Sequence, residues 1–182
     1  MRDVSPEAEL ARQAARGDRE AFGRLVARYQ RPLVNFTYRY LGQREDAEDA
    51  AQEAFVRVYL WLGRLRQPES FGTYLFATAL NVCRRRGEAR PLPLAPPDSA
   101  TQGTPEAVLR RAEHDRLLHA ISALPEEYRS VVSLRIGDEL SFAEIGRIVG
   151  AEEGACRVRF HRAKEMLRAA LAGVPAPSEG TT

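Results

Sequence analysis

Basic side chains are concentrated near the carboxyl end of the chain, in a segment that could bind nucleic acid. Between residues 157 and 168, six residues are basic and one, Glu165, is acidic. Arginine donates planar, paired hydrogen bonds to phosphates and to the edges of bases. The chemistry available to this segment is therefore recognition of DNA rather than bond making. Its basic residues are Arg157, Arg159, His161, Arg162, Lys164 and Arg168.

Two short helices joined by a tight turn are expected to position these residues. Ser141 and Glu144 have the spacing of a capping box, which predicts that a helix begins after Ser141. Gly150 predicts its end, because glycine adopts a positive φ at little cost. This order is typical of a DNA-reading helix-turn-helix, with an ordinary helical hairpin and a solvated basic face as the alternative. The second helix is predicted from apolar residues at steps of four, three and four, which are Cys156, Phe160, Ala163 and Leu167.

A concentration of acidic charge lies in a predicted helix of the amino-terminal half. Residues 44–53 contain five carboxylates and one basic residue. The helix dipole favours acids in the first turn, but it does not account for those further along. The remaining carboxylates could form a docking surface for a basic protein, with a merely solvated face as the alternative.

A third group combines aromatic and basic residues. Phe71, Tyr74 and Phe76 follow a loop rich in arginine and glutamine, and three arginines at 84–86 end the same predicted helix. Bases of single-stranded DNA stack on aromatic rings while guanidinium groups hold the phosphates. The alternative is a core helix whose basic last turn is favoured by the helix dipole.

Every periodic segment is helical, so we predict an all-α fold. Hydrophobic residues make up 44% of the chain, enough for packed cores. A proline-rich stretch at 90–105 interrupts the helical pattern and predicts a linker between two small helical domains. Pro32 is expected to kink or restart a helix of the first domain. The predicted bounds are 1–88 and 106–173 for the domains, 89–105 for the linker and 174–182 for a flexible tail.

Composition and motifs exclude several classes of protein. The net charge of +2 does not by itself indicate whether the chain binds nucleic acid. Cys83 and Cys156 match no spacing of metal ligands, so we expect two buried thiols in a reducing compartment, and no metal. Motifs for nucleotide binding or hydrolysis are lacking, so neither enzyme activity nor a cofactor is expected. The uncharged run 70–83 is too short to cross a bilayer, which predicts no membrane insertion and a cytoplasmic location.

Taken in order, these segments resemble a bacterial sigma factor of the extracytoplasmic-function group. The matching motifs are DAEDAAQEAF, SFGTYLFATALN, ALPEEYRSVVSLR, LSFAEIGRIVG and GACRVRFHRAKEML. The resemblance covers about residues 8–88 and 106–171. It implies a subunit that binds core RNA polymerase and directs promoter-specific initiation. A stand-alone helix-turn-helix regulator is the alternative.

The resemblance also implies which residues meet each partner. The first domain would bind the β′ clamp and capture the non-template strand of the −10 element, with the loop at 63–70 holding a flipped base. The second would read the duplex −35 element and pack on the β flap, and the resemblance admits an anti-sigma factor as a further partner. The residues assigned to the clamp are Asp46, Glu48, Asp49, Gln52 and Glu53. Those assigned to DNA are Arg66, Asn81, Arg84, Arg85, Arg157, Val158, Arg159, His161 and Arg162.

The chain departs from the family pattern at four residues. Ala155 and Cys156 stand where Thr-Val is usual, which removes a hydroxyl that could bind phosphate. Val158 replaces a commonly polar residue in the row that reads bases, and Tyr74 replaces a tryptophan while keeping an aromatic ring. We therefore expect the −35 readout to differ from that of relatives.

Overall fold

The computed structural model describes residues 6–64, 70–89, 104–137 and 140–173. Within these ranges all regular elements are helical, which confirms the predicted all-α class. Most of the predicted linker, the predicted tail and Arg66 lie outside the described residues. The helices are α1 (Pro6–Ala15), α2 (Arg19–Leu41), α3 (Arg44–Trp61), a 3-10 turn (Leu62–Arg64), α4 (Phe71–Ala89), α5 (Pro105–Ser122), α6 (Glu126–Arg135), α7 (Phe142–Val149) and α8 (Glu153–Leu171).

The longest helix, α2, is capped by a side chain and tolerates an internal proline. The Asp18 carboxylate accepts hydrogen bonds from the backbone N–H groups of the first turn at 2.9 and 3.0 Å. The helix then continues in one piece through Pro32, so of the predicted kink or restart at this residue the restart does not occur. Proline costs the helix one backbone hydrogen bond, and the burial of Leu33 and Phe36 beside it offsets that loss.

Two apolar clusters hold the helices together. The smaller one joins α5, α6 and α8 around Ile121 and Val132. The larger one is built on α1–α4 and extends into the carboxyl-terminal half, where α7 packs on α4 and α6 packs on α2. The carboxyl-terminal members of this larger cluster are Val131, Leu134, Ile145, Ile148 and Cys156.

Polar contacts reinforce this seam, by which we mean the contact of α1–α4 with α5–α8. Arg84 of α4 donates to the Glu126 carboxylate of α6 at 2.7 Å. Arg39 of α2 donates from Nε to the carbonyl oxygen of Ser133 in α6 at 3.0 Å. The two halves are therefore in direct contact in this structure.

Both cysteines are free and buried, as predicted. Burial raises the pKa of the Cys83 thiol in α4 to about 12, and it also raises the pKa of Cys156 in α8. Over the described ranges, His, Cys, Asp and Glu side chains form no group of three that could hold a metal ion. Nor does any helix there have the length and apolar character needed to cross a bilayer.

Candidate nucleic-acid and protein interfaces

Helices α7 and α8 form the predicted helix-turn-helix. The Glu144 carboxylate accepts from the N–H of Ser141 at 2.7 Å, while Ser141 Oγ accepts from the N–H of Glu144 at 3.2 Å. These two bonds complete the predicted capping box. Gly150 ends α7 with a φ of 75°, also as predicted. A β-carbon on Gly146 would lie 2.5 Å from the carbonyl oxygen of Ala151, so the turn requires glycine at this position.

Helix α8 turns its predicted apolar stripe inward. Cys156, Ala163 and Leu167 are buried, and Phe160 is half-buried. The opposite side of the helix faces solvent over its first three turns. The residues assigned to DNA that are exposed there are Arg157, Val158, His161 and Arg162.

Two arginines of α8 have different surroundings. Arg157 donates to Glu153 at 2.7 Å, and its guanidinium lies 5.2 Å from the centre of the Phe142 ring. Arg159 pairs instead with Glu127 of α6 at 3.1 Å and is half-buried. Two residues correspond to about 200° around a helix. Arg159 therefore lies at the α6 side of α8, apart from the exposed row that contains Arg157.

Helix α4 presents only part of the predicted single-strand site. Asn81 and Arg85 are exposed, although Arg85 also pairs with Glu53 of α3 at 3.4 Å, and Arg84 is held by Glu126 in the seam. Phe71 and Phe76 are 0% and 2% exposed, which supports the alternative of a core helix over stacking of these two rings on bases. They are core residues, because α2 and α7 both pack against α4. Of the three aromatic residues, the half-buried Tyr74 alone keeps solvent access.

The acidic residues of α3 divide between two sides of the helix. Asp49 and Glu53 face α4, where Arg86 lies 3.7 Å from Asp49 and 3.2 Å from Glu53. Burial opposes ionisation of Glu53, but the hydrogen bond from Arg86 and nearby guanidinium groups lower the pKa of its carboxyl. Glu48 and Gln52 lie on the other side, beside α2. The residues assigned to the clamp therefore lie on two adjoining sides of α3, and their role stays a prediction.

A groove of about 990 Å³ runs between α2 and α3. Polar residues such as Glu48 and Gln52 line it together with Phe22, Val56 and Tyr59, and the rings of Phe22 and Tyr59 lie 4.8 Å apart. We call it the α2–α3 groove. Val56 and Tyr59 remain 53% and 41% exposed.

The apolar lining of the groove was missed by the sequence analysis, which selected charged and polar residues. The sequence feature that could have predicted this lining is the presence of apolar residues outside the buried stripe of α3. Val56, Tyr59 and Leu60 fall outside the buried stripe of α3 and are nonetheless apolar. Asp46, the remaining residue assigned to the clamp, is half-exposed in the first turn of α3.

Comparison with known proteins gives concordant matches to both halves of the chain. Residues 25–89 match Sigma-70 region 2, and residues 114–167 match Sigma-70 region 4. The chain is 31% identical over 180 residues to the RNA polymerase sigma-H factor of Pseudomonas aeruginosa, covering 90% of this chain and 92% of that protein. It is 34% identical over 175 residues to the ECF RNA polymerase sigma factor SigW of Bacillus subtilis, covering 88% and 94%.

A solved structure is also similar over nearly the whole chain. It is that of CnrH in complex with the cytosolic domain of CnrY. CnrH is 26% identical, with a TM-score of 0.74, and the match covers 92% of this chain and 97% of that one. The likeness therefore extends to both helical halves.

Proposed function

We propose how this chain, which belongs to the extracytoplasmic-function group of sigma factors, divides its contacts between polymerase and promoter. As a sigma factor it directs transcription initiation, and we assign it no chemistry of its own. It would act in the cytoplasm, on core polymerase and chromosomal DNA. The observation that carries the proposal is that the α2–α3 groove and the outer side of α8 are both accessible in one structure.

The α2–α3 groove is the proposed site for the β′ clamp. A basic helix of the clamp could place apolar side chains against Val56 and Tyr59 and basic ones near Glu48 and Gln52. Asp49 and Glu53 are already paired with arginines of α4, so we assign them no direct contact with the clamp. Together with the half-exposed Asp46 they would contribute only long-range attraction to a basic partner. The apolar floor then supplies most of the affinity, and the carboxylates orient the approach.

Helix α4 and the preceding loop would hold the separated non-template strand. Tyr74 offers a ring for stacking, and the exposed Asn81 and Arg85 offer an amide and a cation for a base and a phosphate. Arg66, from the loop before α4, keeps its role as a further contact by resemblance alone. Binding here would help offset the few kcal/mol that unstacking each base costs.

Helix α8 would enter the major groove of the −35 element. Recognition helices present their amino-terminal residues to base edges, and Arg157 and Val158 occupy that part of α8. His161 and Arg162 lie one turn further, within reach of bases or backbone, while Arg159 at the α6 side would meet phosphate. Another surface of α5–α8 would pack on the β flap.

Reading both promoter elements requires the two halves to separate. The elements are named for positions 25 base pairs apart, about 85 Å along B-DNA. Here α7 packs directly on α4, and Arg84 is held by Glu126. Binding to the polymerase would therefore break the seam and release Arg84 for DNA. The similarity to CnrH, which was solved with CnrY, also supports a protein partner that binds this chain.

A paired substitution in core-binding assays tests the proposed clamp site. Val56→Asp puts a charge on the groove floor, and the loss of about 1.5–3 kcal/mol of apolar burial should weaken core binding at least tenfold. Val108→Asp is the matched control, because Val108 is an exposed valine of α5 outside the groove. Core affinity is measured by titration, and activity by run-off transcription on genomic DNA.

The results distinguish an error in the proposed clamp site from an error in the proposed function. If Val56→Asp binds core polymerase as tightly as Val108→Asp, the groove is not the clamp site. If the unchanged chain neither binds core polymerase nor supports run-off transcription, the proposed role in initiation is wrong. A stand-alone helix-turn-helix regulator would give that second result while still binding duplex DNA.

A further inference from the structure

The exposed side of α8 carries an uncharged strip between its basic residues. Gly154 and Ala155 precede Val158 by four and three residues, so the three share one side of the helix, and all are exposed. Val158 is 53% exposed and belongs to neither apolar cluster. Across α7 and α8, which the structure describes throughout, it is the one large apolar side chain left exposed.

The residues next to Val158 in the chain are held by other side chains. Arg157 is fixed by Glu153, and Arg159 by Glu127 of α6. Val158 points into solvent between them. Because Gly154 and Ala155 add almost no bulk beside it, α8 could approach the floor of a DNA groove closely along this strip.

Valine can read only one feature of the major groove. It has no hydrogen-bond donor or acceptor, so it gains nothing from the polar edges of the base pairs. The apolar group displayed there is the C5-methyl of thymine, and contact between the two removes both from water. We propose that Val158 selects a thymine in the upstream promoter element by packing on this methyl. The inference rests on the proposed function, because it places α8 in the major groove of that element.

Uracil in place of thymine isolates this contact, since it removes the methyl and leaves the pairing edge unchanged. Holoenzyme made from the full chain and core polymerase is titrated onto synthetic promoter duplexes with uracil at one upstream thymine at a time. We expect one position at which uracil weakens binding about fourfold, the effect of one buried methyl-sized group. Synthetic duplexes contain no methylated cytosine, so a methyl effect comes from thymine.

Two protein variants, each titrated onto the thymine and uracil duplexes, test whether Val158 makes this contact. Val158→Ala should weaken binding to the thymine duplex by a similar factor and should show no further loss with uracil. Val108→Ala, at an exposed valine of α5, should retain the full uracil penalty. Because Val158 and Val108 are exposed, neither change should disturb folding, which circular dichroism checks.

Several results would overturn the proposal. They are a uracil penalty that survives Val158→Ala in full, equal binding of every duplex by wild type and variant, or an upstream element without thymine on either strand. Each would make Val158 an ordinary exposed residue. Failure of the unchanged holoenzyme to transcribe from the unmodified promoter would instead contradict the proposed function.

Discussion

Arg84 of α4 and Glu126 of α6 form an ion pair of 2.7 Å, although 42 residues separate them in the sequence. Glu126 also accepts a hydrogen bond from Ser130. Burial opposes ionisation of Glu126, but these hydrogen bonds and nearby guanidinium groups lower the pKa of its carboxyl below the usual value. Glu126 is therefore ionised at neutral pH and keeps Arg84 within the seam.

Glu126→Gln should loosen the seam. It removes the charge from a partly exposed ion pair, which is worth about 0.2–1 kcal/mol. Amide hydrogen exchange where α4 meets α7 should accelerate, by up to about fivefold. Glu127→Gln is the control, because the Glu127–Arg159 pair has nearly the same exposure but lies within the carboxyl-terminal half. Equal acceleration in both variants would show that the Arg84 contact has no special role in closure.

Acid should also loosen the seam. A carboxyl whose pKa is lower in the folded state stabilises that state above its unfolded pKa, and the contribution disappears as pH falls through the folded pKa. For Glu126 the loss begins near the ordinary glutamate value of about 4.3 and continues below it. Exchange at the α4–α7 contact should therefore rise on acidification more in the unchanged chain than in Glu126→Gln. Parallel pH profiles would contradict this.

Gly146→Ala should destabilise the helix-turn-helix. The added β-carbon would meet the carbonyl oxygen of Ala151, and moving backbone to relieve such overpacking costs about 1–3 kcal/mol. Thermal unfolding of the full chain measures the loss. Gly154→Ala is the control, because a β-carbon there meets nothing within 4 Å and alanine favours the helix. A variant at Gly146 as stable as the control would mean that the turn can relax without cost.

Arg157→Ala and Arg159→Ala should affect promoter binding differently. Arg157 lies on the exposed row of α8, so its loss should cost about 1–3 kcal/mol at one upstream base pair. Arg159 lies at the α6 side, and its loss should weaken binding to all sequences alike. Titration against a set of single-base-pair promoter variants distinguishes the two patterns. A uniform loss for Arg157→Ala would make Arg157 a phosphate contact.

Local signals made the helix-turn-helix predictable. The capping box joins Ser141 to Glu144 only three residues away, and Gly150 ends the helix through its own φ. The inward stripe of α8 follows from helical periodicity. Such features depend on residues close in the sequence, so the sequence alone was sufficient for them.

The arrangement of the other surfaces could not be read from local patterns. The Glu53 carboxylate faces α4 because it accepts a hydrogen bond there from Arg86, which is 33 residues away in the sequence. Phe71 and Phe76 are core residues because the rings of Tyr29 and Phe36, in α2, pack against them. Both outcomes depend on contacts between distant segments, and a charge or an aromatic ring does not by itself say what will pack against it.

Burial of the two thiols limits their reactivity toward oxidants. Burial raises the pKa of Cys83 to about 12, so the thiol form prevails at neutral pH, whereas the thiolate is the form that oxidants attack. Cys83 and Cys156 both belong to the larger cluster that spans the seam. Oxidation of either thiol therefore requires a local opening of the cluster that buries it.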